Sequence, residues 1–218
     1  DTLKQLFNLM WFCKKVSIPF DVYAFTSEYP LVKCDEHGGS EVRERSYTPK
    51  DGLVSIPEWF SLMNIFTSKV SGSELEKQMK NVFRVAYSNR YWVTYPSPIG
   101  WNLSGTPLNE TLVCLHQILP EFKRDNKLQK VQCVILTDGE AAPLKYHREL
   151  FRRNAIEPFI GINSLGPHCF LRNRKTGISH SLGGEWYEMT DVLLEDLKAT
   201  FPDMNFIGIR VLESMDAK

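Results

Sequence analysis

The sequence has no excess of either charge, no apolar run long enough to span a membrane and no paired cysteine motif. Its 218 residues carry 26 basic and 26 acidic side chains, so no bulk electrostatic field draws it to nucleic acid or to an anionic membrane. No apolar stretch approaches the roughly 18 residues of a transmembrane helix, and no signal peptide is recognisable. The five cysteines are scattered without a CxxC pair, which favours a reducing, cytoplasmic setting. These absences predict a soluble protein that binds neither nucleic acid nor membrane.

Signature motifs of common enzymes are also absent. The sequence contains no GxSxG elbow, no P-loop and no GxGxxG, and its five histidines show no HxxxH or HxH spacing. A hydrolase triad drawn from Ser104, Asp138 and one histidine has nothing to position the histidine. The sequence therefore does not predict an enzyme, while its length and 43% hydrophobic content predict one sizeable core.

A short apolar segment, residues 131–137, is the strongest strand prediction. It reads Val-Gln-Cys-Val-Ile-Leu-Thr and ends abruptly in Asp138-Gly139-Glu140. A continuous apolar run closed by turn residues is typical of a strand that is buried on both faces of a parallel sheet. Ligands of open α/β sheets collect at the carboxyl ends of the strands, so Asp138 is a candidate site residue. The alternative is that Asp138-Gly139 forms only a turn.

A second loop, Ser104-Gly105-Thr106-Pro107, precedes the most regular amphipathic helix of the sequence. Apolar residues recur between Leu108 and Phe122 at three- and four-residue steps, with Pro107 at the first helical position and Asn109 on the polar face. Thr106 is either an ion ligand or the cap of this helix, and Ser104 either supports a site or caps the helix. His116 lies off the apolar stripe and is predicted to be a surface residue.

Elsewhere the sequence alternates between helical and strand patterns. Helices are predicted at 3–14, 57–67, 73–87, 143–154 and 190–201, and strands at 18–26, 52–56, 156–162 and 205–212. Loops are predicted at 34–46 and 88–103, and a hairpin at 168–182 with its turn at Lys175-Thr176-Gly177. Helices alternating with strands predict a doubly wound α/β sheet.

Two of these segments together resemble a known family. Gly105-Thr106-Pro107-Leu108 before a helix, and then a strand ending in Leu136-Thr137-Asp138-Gly139-Glu140, resemble the second and third segments of a von Willebrand factor A (vWA) domain. The variant is most similar to the intracellular branch of CobT-like and magnesium-chelatase D-like proteins, especially CobT-like proteins of T4-like bacteriophages. The resemblance implies a Rossmann-like vWA domain with a mostly parallel central sheet. Residues 1–163 would form its body, and 164–218 a hairpin, helix and strand that complete or extend it.

In that family three loops form a metal-ion-dependent adhesion site (MIDAS), and the resemblance implies roles for two of them here. Thr106 would bind Mg²⁺ or Mn²⁺ directly, and Asp138 would hold metal-bound water. Residues that would support these ligands or form the rim of the site are Ser104, Gly105, Gly139 and Glu140; Glu140 is alternatively a solvated loop residue. The Asp-x-Ser-x-Ser of the first loop does not occur in the sequence. We expect either that a first strand and metal loop precede residue 1 in the native protein, or that the domain is degenerate and binds no metal.

These expectations leave functions from three classes. The resemblance implies an interaction module that acts with a MoxR- or CobS-like AAA+ ATPase. An acidic residue of a protein partner would complete the coordination shell of its metal ion. The alternative is a structural or assembly (virion) protein that keeps the fold and binds no metal. An enzyme, either a chelatase subunit or a hydrolase, is not favoured because neither a porphyrin-binding signature nor a catalytic motif is present.

Overall fold

The computed structural model describes residues 2–27, 47–91, 101, 104–137, 139–152, 157–182 and 185–210. In chain order these ranges form α1 (Thr2–Lys15), β1 (Asp21–Ser27), β2 (Val54–Ser55), β3 (Phe60–Thr67), α2 (Gly72–Tyr91), α3 (Leu108–Asp125), β4 (Val131–Thr137), β5 (Lys145–Leu150), β6 (Phe159–Ser164), β7 (Phe170–Arg172), β8 (Ser179–Ser181), a 3-10 helix (Trp186–Glu188), α4 (Met189–Thr200) and β9 (Met204–Arg210). The strands form small sheets of order β1–β3, β2–β5–β6, β4–β9 and β7–β8. The protein therefore combines helices with both parallel and antiparallel strands.

Strands β1 and β3 form an antiparallel pair that carries the first apolar core. Their register shifts at a bulge between Val22 and Tyr23. The buried residues of this core are Met10, Phe66, Leu75, Met79 and Val82. The Lys14 ammonium of α1 donates to Ser68 O at 2.7 Å and to Val70 O at 2.6 Å, which attaches α1 to the turn between β3 and α2. Helices α1 and α2 thus cover this strand pair through both apolar and polar contacts.

Helices α3 and α4 pack with the parallel pair β4–β9 to form the second and larger core. The register of the pair begins at Val131↔Met204 and ends at Thr137↔Arg210. The apolar stripe that the sequence predicts for α3 is the buried one, with Leu108, Leu112, Leu115 and Leu119 in the core. Helix α4 contributes Met189, Leu193 and Leu197. This core positions the carboxyl end of β4 beside the start of α3.

Local antiparallel units lie between β4 and β9 in the chain. Strand β5 pairs with β6 on one side and with β2 on the other. Strands β7 and β8 form the hairpin predicted at 168–182, and its turn includes Gly177 at φ +77°. The Gly177 N–H donates to Asn173 O at 2.8 Å, which closes that turn.

Two predicted helices are strands in the structure. Residues 57–67 contribute strand β3, and residues 143–154 contribute strand β5. Strand β3 pairs with β1, and β5 pairs with both β2 and β6. Ladder hydrogen bonds and cross-strand packing therefore override a local apolar pattern that fits either element.

The strand predicted at 131–137 is confirmed as β4, but the prediction that both of its faces are buried is wrong. Val131 is buried, whereas Val134 is 40% exposed. Cys133 and Ile135 face the larger core. Within the described ranges β4 has one neighbouring strand, β9, and β4–β9 is the only parallel pair. The described residues therefore do not form the single, mostly parallel sheet that the sequence predicts.

Several predicted boundaries move. Helix α2 continues through Tyr91, so residues 88–91 are helical and not part of a loop. Of the rest of that predicted loop, only residue 101 belongs to the described part of the chain, and the loop predicted at 34–46 lies outside it. The predicted division after residue 163 falls inside β6.

Among the helices described, none is long and apolar enough to cross a membrane.

Candidate functional site

The carboxyl end of β1 is attached to the loop that precedes α3. The Ser27 N–H donates to Ser104 O at 2.8 Å. The hydroxyl of Thr26, a completely buried residue, accepts from the Ser104 N–H at 3.2 Å and donates to Ser104 O at 3.3 Å. Ser104 therefore supports the loop through its backbone and does not cap α3. Sequence reasoning missed Thr26 and Ser27 because nothing local shows that their strand ends beside residue 104.

Gly105 lies directly against Ser27. A Cβ at this position would stand 2.9 Å from Ser27 Cβ and 3.0 Å from Ser27 Oγ, and Gly105 has φ +69°. Both the left-handed backbone and the close contact exclude a larger residue. Glycine at position 105 thus allows the loop to approach the end of β1.

Thr106 precedes α3, but its hydroxyl does not cap the helix. The N-cap position is held by Pro107, without a side-chain cap hydrogen bond. The Leu108 N–H instead donates to Thr106 O at 2.8 Å, and the Thr111 hydroxyl donates to Pro107 O at 2.9 Å. Pro107 therefore lies one position earlier than predicted, and the capping alternative for Thr106 is wrong.

After β4 the chain turns back onto Thr106. The Thr137 hydroxyl accepts from the Gly139 N–H at 3.3 Å and donates to Gly139 O at 3.1 Å, so the side chain at the end of β4 binds the backbone of Gly139. A Cβ on Gly139 would stand only 2.6 Å from Thr106 Oγ1. The two loops that carry the predicted ligands are thus in contact through Thr106 and Gly139. Asp138 itself lies outside the described residues.

Glu140 extends from the same loop into solvent. Its Oε1 lies 3.5 Å from Arg210 Nη1 at the end of β9, and the two side chains are 53% and 55% exposed. An ion pair this exposed contributes little to stability. This exposure is consistent with both roles that the sequence leaves open for Glu140, at the rim of a site or as a solvated loop residue.

Asn109 holds the first turn of α3 to two other elements. Its Nδ2 donates to Ala142 O at 2.9 Å in the loop after β4, and its Oδ1 accepts from the Thr190 hydroxyl of α4 at 2.8 Å. The prediction that Asn109 lies on the polar face is wrong, since the residue is 0% exposed. Helical spacing cannot identify a buried amide whose partners are distant in sequence.

The first turn of α3 also carries a largely buried acid. Desolvation raises the pKa of the Glu110 carboxyl above its ordinary value, against the opposing effects of a backbone hydrogen bond and of Lys145. On the core side of β4, burial raises the pKa of the Cys133 thiol to about 11. Cys133 is therefore a neutral thiol near pH 7 and is not a nucleophile.

The side-chain oxygens where the ends of β1 and β4 meet the 104–106 loop suit a hard cation in type, but they are too few to form a complete metal site. Mg²⁺ prefers oxygen ligands, and hydroxyl groups of Ser27, Thr106 and Thr137 come from the converging segments. Among the residues that the structure describes, no group of three or more histidine, cysteine, aspartate or glutamate side chains is arranged to hold a metal ion.

Comparison of the chain with protein-family models, with curated protein sequences and with solved structures finds no match. Its function is therefore inferred from the geometry of the loops and from the sequence resemblance.

Proposed function

We propose that this protein is a vWA-type interaction module that binds a divalent metal ion at the carboxyl ends of β1 and β4. An acidic residue of a partner would complete the coordination shell of this ion. The observation that carries the proposal is the contact between Thr106 and Gly139, where a Cβ would stand 2.6 Å from Thr106 Oγ1. Thr106 belongs to the Gly-Thr-Pro-Leu segment, and Gly139 belongs to the Thr-Asp-Gly-Glu segment. The second and third metal-binding segments of a MIDAS need such proximity.

The arrangement of the strands supports the vWA assignment. Strand β1 ends at Ser27 against the 104–106 loop, and β4 ends at Thr137, whose turn contacts the same loop through Gly139. Both strands therefore run towards one loop, and both place side chains against the α3 core, namely Phe25, Cys133 and Ile135. In the described structure β1 and β4 belong to different sheets. A further parallel strand between them would join both pairs into one doubly wound sheet.

In this proposal Thr106 binds Mg²⁺ or Mn²⁺ directly, and Asp138 holds metal-bound water. The Asp-x-Ser-x-Ser that supplies the other protein ligands of a MIDAS does not occur in this sequence. Mg²⁺ requires a near-octahedral oxygen shell and keeps several waters, so a shell that is one protein ligand short accepts a carboxylate from a partner. We propose a MoxR- or CobS-like AAA+ ATPase, or a substrate that it remodels, as that partner. The protein would then act in binding and not as an enzyme.

Calorimetric titration of the full-length native protein with Mg²⁺ or Mn²⁺ tests this proposal. We expect binding with a dissociation constant in the micromolar to millimolar range, lost in a Thr106→Val, Asp138→Ala double variant. A matched control is a Thr48→Val, Asp125→Ala variant, which makes the same substitutions at exposed positions away from the loops. The absence of binding by the native protein, or equal binding by both variants, would show that these loops hold no metal.

One observation favours the alternative of a structural or assembly protein that binds no metal. The outer face of β4–β9 exposes Val134, Ile207 and Ile209, each 40–44% accessible in the described structure. Apolar strand faces of this kind are often covered in assemblies. Stable oligomers that are unchanged by a chelator, together with no metal binding, would favour this function over the metal-dependent one.

A further inference from the structure

Three polar side chains form one row across the β2–β5–β6 sheet. Ser55 of β2 pairs with Lys145 of β5, and Lys145 pairs with Ser164 of β6. Residues directly opposite each other on neighbouring strands point to the same face, with their Cβ atoms roughly 4.5–5.5 Å apart. Two hydroxyl groups therefore flank one ammonium group on this face. We call Ser55, Lys145 and Ser164 the Ser–Lys–Ser row.

The Ser–Lys–Ser row lies on the face of the sheet that points away from the larger core. Val54, the neighbour of Ser55 on β2, packs against that core, and successive side chains of a strand point to opposite faces. Lys145 and Ser164 are exposed, whereas Ser55 is only 4% exposed. The row therefore begins at a buried residue and ends in solvent, as the wall of a pocket does.

The turn between β2 and β3 forms another side of this pocket. The Phe60 N–H donates to Pro57 O at 3.1 Å and closes the turn. Glu58 and Trp59 occupy its two central positions. These two residues, the Ser–Lys–Ser row and Ile162 line a pocket of about 260 Å³. Pockets for drug-sized ligands have volumes of roughly 300–1,000 Å³, so a ligand of this pocket has to be small.

The pocket combines two opposite charges with apolar surface. Lys145 supplies an ammonium group between two hydroxyls, which suits a carboxylate because charge-assisted hydrogen bonds are the strong ones. Glu58 supplies the opposite charge, and Trp59 and Ile162 supply the apolar surface. One basic and one acidic lining residue give the pocket no net charge, which disfavours a doubly charged phosphate. A ligand with one carboxylate, one ammonium group and an apolar side chain matches all of these features.

We propose that this pocket binds a small α-amino acid with an apolar side chain. The carboxylate of the amino acid binds to the Ser–Lys–Ser row, and its ammonium group lies towards Glu58. Its side chain packs against Trp59 and Ile162. The inference does not rest on the proposed metal site, which lies at the carboxyl ends of β1 and β4. The protein would thus bind a small metabolite in addition to a protein partner.

Calorimetric titration of the full chain with L-leucine tests the proposal. We expect binding with a Kd below about 1 mM. Isocaproate lacks the ammonium group of leucine and isoamylamine lacks its carboxylate, so each should bind at least about tenfold more weakly. Inorganic phosphate should not compete with L-leucine. Three results would each overturn the proposal: no binding of L-leucine up to about 10 mM, equal affinity for isocaproate, or displacement of L-leucine by phosphate.

Substitutions in the Ser–Lys–Ser row test where the amino acid binds. Lys145→Met keeps a long side chain and removes its charge, so the affinity for L-leucine should fall about ten- to a hundredfold. Ser164→Ala removes one neutral donor and should weaken binding about two- to tenfold. Lys130→Met, at an exposed position before β4, is the control and should bind L-leucine like the wild type.

Urea unfolding separates a loss of binding from a loss of the fold. Lys145 and Ser164 are exposed, so both variants should keep the midpoint of the wild type. An unchanged affinity for L-leucine in Lys145→Met, or an equal loss in Lys130→Met, would contradict the assignment of the carboxylate to the Ser–Lys–Ser row.

Discussion

Replacing Gly139 with alanine measures how closely the two loops of the candidate site are packed. The new Cβ would stand 2.6 Å from Thr106 Oγ1, closer than side chains tolerate. The strain expected in the variant comes from this contact. Thr106 is β-branched and rotates only at a cost. Overpacking of this kind costs about 1–3 kcal/mol, and the lower chain entropy of unfolded alanine offsets about 0.4–1 kcal/mol. We expect a net loss of about 1–2 kcal/mol in the free energy of unfolding.

Urea unfolding with linear extrapolation provides the measurement. Gly166→Ala is the matched control, because no atom lies within 4 Å of a Cβ built there and Gly166 also lacks a positive φ. Adding Thr106→Ala should remove the penalty of Gly139→Ala, and Thr106→Ser, whose hydroxyl is not held by β-branching, should relieve part of it. The double-mutant cycle would then give a coupling energy of about 1–2 kcal/mol. Similar stabilities of the Gly139 and Gly166 variants, or a penalty that persists in the Thr106→Ala background, would refute the contact.

Three further predictions concern stability and reactivity. Asn109→Ala removes the buried amide that bonds Ala142 O and the Thr190 hydroxyl, and it should lower the free energy of unfolding by about 2–4 kcal/mol; a change within about 0.5 kcal/mol in urea unfolding would contradict its role. Lys14→Met should cost about 1–3 kcal/mol because two carbonyl contacts of a charged donor are lost, and the exposed neighbour Lys15→Met should cost almost nothing in the same assay. Burial that raises the pKa of Cys133 to about 11 should slow its alkylation at pH 8.5 on the order of a hundredfold relative to the unfolded chain, as mass spectrometry of the modified peptide would show. The raised pKa also means that the contribution of this thiol to stability is present below about pH 9 and is lost as the pH rises towards 11.

The sequence predicts the α3 side of the candidate site well because that side depends on local patterns. The leucines of α3 recur at helical spacing, and the strand before Asp138 is apolar and sharply terminated. The partners that complete the loops do not follow such patterns. Thr26 reaches Ser104 and Asn109 reaches Thr190 across long stretches of chain, so only the folded arrangement reveals that these polar groups are satisfied.

The two wrong helices have a related cause. Phe60–Thr67 and Lys145–Leu150 contain apolar residues at intervals that suit a helix or a strand. Their strand structure comes from β1 in one case and from β2 and β6 in the other. Pairing with another segment has no local signature, whereas the hairpin around Gly177 does, since its turn residues are adjacent in sequence.

The parallel pair β4–β9 has a consequence for the order of folding during synthesis. Val131 pairs with Met204, yet β5, β6, β7, β8 and α4 all lie between them in the chain. Strands β5 and β6, and likewise β7 and β8, are neighbours in sequence and can associate early, whereas β4 has to wait for a distant partner. A growing chain therefore carries β4 with an unpaired apolar edge until the last described strand leaves the ribosome. Interrupted translation after α4 would leave β4 without β9, and an open strand edge of this kind favours aggregation.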